Sequence, residues 1–157
     1  MHRSLLLATV LAVMPIVAAC GAATTPSASG APLPSPDVGS PATADASGLT
    51  QTSEGGQVTV VAIWAGAPAD ARFDIQLDTH SVDLDALSLA DATLRNDRGE
   101  TLAAQPWAAP KGGHHREGAL TFDGDASRFL AGARWIELVF VGVGDLPERM
   151  LRWEIGP

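Results

Sequence analysis

The residues with the clearest capacity for chemistry are three histidines in two polar islands, Asp78-Thr79-His80-Ser81-Val82-Asp83-Leu84-Asp85 and Gly112-Gly113-His114-His115-Arg116-Glu117-Gly118. Imidazole beside carboxylate is a donor set for Cu(II) or Zn(II), held at ~2 Å. If the islands meet, His80, His114 or His115, with Asp78 or Glu117, would supply such a site. The alternative is structural. Arg116 would form a charge-assisted bond to Asp78, Asp83 or Asp85, with Asp83 taken as its partner, while the histidines bond carbonyls or remain solvated. No two histidines stand one helical turn apart with a glutamate between them, the spacing that makes a zinc motif specific.

Other reaction classes lack a constellation. A hydrolase needs a nucleophile beside a base and an oxyanion donor. Ser81 adjoins His80 in sequence only, because successive strand residues point apart. No carboxylate pair is singled out for glycoside chemistry. The expectation is a protein that is not an enzyme and has no cofactor, copper or zinc being the alternative.

Short alternating runs must position these islands. Val58, Val60 and Ala62 alternate with Thr59, Val61 and Ile63, and Phe73, Ile75 and Leu77 with Asp74, Gln76 and Asp78. Period two marks strands buried on one face. It recurs at Leu120 and Phe122, at Ile136, Leu138 and Phe140, and at Leu151, Trp153 and Ile155, with Met150, Arg152 and Glu154 turned to water. Two further strands are expected near Ser88 to Leu94 and Glu100 to Ala103, joined by the turn Asn96-Asp97-Arg98-Gly99. A helical turn within Val82 to Leu94 is the competing reading, since Leu84, Leu87 and Leu94 also suit a helix face. The odd inward parity of Phe73 to Leu77 conflicts with the even Val82 and Leu84, so the chain must bulge or turn near His80. The parity of Leu120 sends His114 and Arg116 inward and His115 and Glu117 outward. Gln57 to Pro157 thus reads as one all-β domain, an immunoglobulin-like β-sandwich of about seven strands, without the inter-sheet disulfide of antibody domains. Trp64, Trp107, Trp135 and Trp153 would fill its core or pack on its sheets.

The chain ahead of this domain has a different composition. Arg3 precedes an apolar run from Leu5 to Val17, too short to span a bilayer, that ends in Val17-Ala18-Ala19-Cys20-Gly21. This is the pattern of a secretory signal peptide over residues 1–19. Residues 20–56 are rich in Ala, Ser, Thr, Pro and Gly with almost no large apolar side chain, and read as a disordered linker. Ten basic residues, one of them Arg3 in the leader, stand against eighteen acidic ones. Such a surface repels phosphates and makes nucleic acid a poor partner.

The small residues before Cys20 resemble the lipobox of bacterial lipoproteins, in which the chain is cut before a cysteine whose thiol carries diacylglycerol. That resemblance implies lipidation of Cys20, the only cysteine. It also implies a cell-membrane location on the extracytoplasmic face, periplasm or cell surface. Each buried methylene contributes ~0.8 kcal/mol, so two or more acyl chains anchor stably. Asp78 to Asp85 and Gly113 to Gly118 are also similar to a family of uncharacterised bacterial exported domains, over roughly Arg72 to Trp153, which implies a recurrent extracytoplasmic β-domain and no catalytic residue. The expected function is a membrane-anchored binding or interaction module contacting an envelope protein or small ligand through its histidine-bearing rim. The alternative is a copper- or zinc-binding protein.

Overall fold

The computed structural model describes residues 43–44, 48–66 and 71–157, all within the compact unit Pro34–Pro157. The leader, Cys20 and most of the expected linker lie outside the described residues. Two antiparallel sheets share one apolar core, as in an all-β sandwich. The five-stranded sheet has the order β1 (Thr43–Ala44), β2 (Thr50–Ser53), β3 (Val58–Trp64), β4 (Arg72–Thr79) and β7 (His115–Thr121). The four-stranded sheet has the order β6 (Thr101–Ala103), β5 (Thr93–Asn96), β8 (Trp135–Val141) and β9 (Glu148–Glu154). One short helix, α1 (Ala126–Leu130), is capped by Asp125, whose carboxylate accepts from Arg128 N at 3.0 Å.

Alternation explains the strands. Val58, Val60, Ala62 and Trp64 face inward from β3, and Phe73, Ile75 and Leu77 from β4. They meet Ile136, Leu138 and Phe140 of β8 and Leu151 and Trp153 of β9 in the common core. Phe73 sits at its centre, its ring centroid 5.9 Å from Phe122, edge-on, and 5.0 Å from Trp153. Burying one such large side chain stabilises the fold by about 1.5–3 kcal/mol. Trp135 departs from the core reading. It lies on the outer face of its sheet under the Arg152 guanidinium, 3.9 Å from the ring centroid.

Three sequence expectations need correction. The linker does not extend to residue 56, because Thr50–Ser53 pairs along β3 and Thr43–Ala44 pairs along β2. Small polar residues concealed β2: its inward positions are Gln51 and Ser53, not large apolar groups. The strand expected from Ser88 begins at Thr93, since Leu89 to Ala92 forms a turn closed by Ala92 N donating to Leu89 O at 3.0 Å. Residues 82–92 hold turns rather than a helix.

Candidate functional site

The two polar islands meet at one rim of the five-stranded sheet, where β3 begins, β4 ends and β7 begins. The register places Thr59, Asp78 and His115 in one row across the outer face, with Val61, Gln76 and Glu117 in the next. Past Thr79 the chain bends, as the parity change required. Thr79 Oγ1 fixes the bend by accepting from Ser81 N at 3.2 Å and Val82 N at 3.4 Å while donating to Gln57 O at 2.6 Å. Such side-chain bonds offer the backbone an alternative to the ladder and end a strand.

Gln57 enters from the β2–β3 hairpin. Val58 N donates to Gly55 O at 3.0 Å, and the two central residues, Gly56 and Gln57, have φ of 52° and 65°. Positive φ at both centres is the type I′ geometry that matches strand twist. Gln57 is the one non-glycine among the described residues in this left-handed region, which costs an L-residue about 1–2 kcal/mol. Its amide holds it there: Oε1 accepts from Ser81 Oγ at 2.7 Å and Nε2 donates to Asp145. Gln57, Thr59, Asp78, Thr79, His80 and Ser81 line a cleft of about 260 Å³.

His115 stands beside this cleft. Its Nδ1 is bonded to the Asp78 carboxylate across the β4–β7 pair, and its Nε2 lies 3.8 Å from Glu117 Oε2. The Asp78 hydrogen bond, then the Asp78 charge, raise the imidazole pKa above its ordinary 6.5. Asp85 organises the adjoining loop: its Oδ1 accepts from Gly112 N and Gly113 N, each at 3.0 Å. Those bonds, Gly113's first, hold the Asp85 carboxyl below its usual range. Thr79 N donates to His114 O and Leu84 N to Gly113 O, so the islands are stitched through their backbones.

The expected residues separate accordingly. Asp78, His115 and Glu117 come together, His80 lines the cleft with Asp78, and His114 is exposed and contributes its carbonyl. Among the described residues no three His, Cys, Asp or Glu side chains are grouped to hold a metal ion. The Arg116–Asp83 ion pair is not formed. Arg116 is buried and donates to Leu84 O at 2.7 Å, Leu87 O at 2.9 Å, Pro110 O at 3.0 Å and Ala109 O at 3.1 Å, with Trp107 4.7 Å beneath it. Carbonyls of two loops occupy four of its five N–H donors, while Asp83 accepts Asp85 N at 2.9 Å in a local turn. Gln57, Thr59 and Asp145 were not expected at the rim. The signal for Gln57 was Gly55-Gly56 between alternating segments, legible as a hairpin only once Thr50–Ser53 is recognised as a strand.

No family model matches the chain, and neither the curated proteins nor the solved structures contain a match to it.

Proposed function

We propose that this chain is a bacterial lipoprotein, anchored through acylated Cys20 on the extracytoplasmic face of the cell membrane, whose β-domain binds a small polar ligand or envelope protein at the Gln57–Asp78–His115 rim. The observation that carries the binding role is Gln57. A left-handed non-glycine residue persists only where its surroundings over-determine it, and such residues concentrate at functional sites. Here that residue lines a cleft built from two separated segments, Gln57–Thr59 and Asp78–Ser81, with hydroxyls, an amide, imidazole and carboxylate around it.

An immunoglobulin-like connectivity is part of this reading. With β3, β4, β5, β7, β8 and β9 as strands A, B, C, E, F and G, the orders A-B-E and C-F-G fall in separate sheets. A binding role, not catalysis, is supported by Ser81, whose hydroxyl donates to an amide oxygen instead of an imidazole. Asp78 and Glu117 share the outer face beside the cleft and disfavour nucleic acid.

Copper or zinc binding is a second reading, favoured by one arrangement. A carboxylate on Nδ1 fixes the tautomer that leaves Nε2 as a metal ligand, and Nε2 is the nitrogen nearest Glu117. His115 and Glu117 would then hold the ion with water completing its shell. Mass spectrometry of the native product tests the anchor: an amino terminus at acylated Cys20 is expected, and a free thiol or a chain starting at Met1 overturns it. Calorimetric titration of the full chain with Zn(II) and Cu(II) separates the readings. Heat lost in both His115→Ala and Glu117→Gln supports metal binding, and a flat native trace ends it.

A further inference from the structure

The outer face of the four-stranded sheet presents a second surface, distinct from the rim. Two of the largest exposed apolar side chains among the described residues lie there, Val141 at 56 % and Met150 at 42 % exposure. Around them both arginines of the face are pinned flat. Arg95 Nε lies 3.2 Å from Glu137 Oε2 and its Nη2 donates to Met150 Sδ at 3.1 Å. Arg152 stacks on Trp135 and reaches within 3.8 Å of Glu137. Exposed Met and Arg beside Trp, with their conformers already fixed, form a surface that associates at reduced entropic cost.

We propose that this face joins two copies of the chain about a twofold axis running along the row Thr93–Val139–Met150. The charge pattern of β9 selects a second copy over an unrelated partner. Glu148 and Arg152 stand on the same face, each two residues from Met150 and so roughly 7 Å to either side of it at ~3.4 Å per residue. Rotation about the axis reverses the strand, bringing Glu148 of each copy opposite Arg152 of the other. The exposed Met150 side chains of the two copies meet at the axis above the buried Val139, and Val141 lies over the opposing Glu137 cluster. This is an isologous, closed contact. The outer face of the five-stranded sheet offers no such match, because its charges are already paired within the chain, Arg72 with Asp74 and His115 with Asp78.

Sedimentation equilibrium of the purified full-length chain in density-matched detergent tests the contact. The native chain is expected to be dimeric at about 100 µM, and Glu148→Arg or Arg152→Glu alone to raise the dimer dissociation constant about tenfold, as two symmetry-related pairs turn repulsive. The double variant is expected to restore it, and Asp74→Arg on the other sheet to leave it unchanged. A monomeric native chain, or a dimer indifferent to Glu148→Arg, overturns the face as a self-contact. Single-variant losses that the double variant fails to restore overturn the antiparallel alignment. Glu148 is exposed at the start of β9, so Glu148→Arg tests the contact without disturbing the core.

Discussion

Removing the Arg149 side chain is expected to unlock the hairpin that carries Gln57. Arg149 is only 2 % exposed, on the inward face of β9, and among the described residues its charge is paired with no carboxylate. It donates instead to Val58 O at 2.9 Å, Ser53 O at 3.0 Å, Val143 O at 3.2 Å and Ser53 Oγ at 3.3 Å, and also to Gly55 O. One guanidinium therefore ties both ends of the β2–β3 turn to the opposite sheet. Burial alone lowers its pKa, and the cost of that desolvation is recovered when the charge is deleted. Against this recovery, Arg149→Met leaves buried acceptors unpaired at about 1–3 kcal/mol each. Gly55 O keeps Val58 N as a donor, so not every acceptor is orphaned. The net loss expected is about 2–4 kcal/mol, a large part of the ~5–15 kcal/mol typical of a domain. Arg149→Lys, with a single ammonium in place of a fork, is expected to fall between native and Met. Urea unfolding followed by tryptophan fluorescence measures this. A loss below ~1 kcal/mol for Arg149→Met at unchanged m-value would refute the clamp.

The pH dependence of the rim follows from His115. Its folded pKa is raised, so its stabilising contribution is complete below the unfolded value of 6.5 and fades as pH climbs through the folded pKa. NMR titration is expected to place His115 above 6.5, and Asp78→Asn to bring it back down; a native value at or below 6.5 contradicts the pairing. Gly112→Ala is expected to cost about 1–3 kcal/mol by overpacking, since a methyl there would stand 2.1 Å from His115 O. Native-like thermal stability in that variant would show that the loop adjusts freely. At position 57, glycine is expected to be more stable than alanine by about 1 kcal/mol, the reverse of their usual order, because φ is positive there. Equal stability of Gln57→Gly and Gln57→Ala would mean the turn relaxes out of the left-handed region.

Strands whose inward residues are large and apolar were legible in the sequence. β3, β4, β8 and β9 follow the alternation directly, β7 does so through Leu120, and the Asn96–Gly99 turn closes β5 on β6. What escaped was structure held by polar groups. β2 turns Gln51 and Ser53 inward, and Ser53 serves as a seat for Arg149. Parity placed Arg116 inward with Leu120, and Arg149, which shares the phase of Leu151 and Trp153, is buried by the same rule. Charge pairing then suggested a carboxylate partner for Arg116, whereas loop carbonyls meet both guanidiniums. Which carbonyls converge depends on the paths of loops, some near in the chain and some far from it, and side-chain period carries no information about those paths. The bend after Thr79 was legible because a parity conflict demanded it, but the left-handed turn that brings the exposed Gln57 amide to Ser81 was not.

Photo-crosslinking in native membranes tests the binding rim most directly. The full-length chain with a benzophenone amino acid replacing Ser81 is irradiated in its own host and its adducts are weighed by mass spectrometry, beside a matched replacement of Thr101 on the other sheet. A discrete adduct from position 81 that is absent from position 101 is the predicted result. No adduct at 81, or the same adducts at both positions, would contradict the assignment of this rim as the ligand-contacting surface.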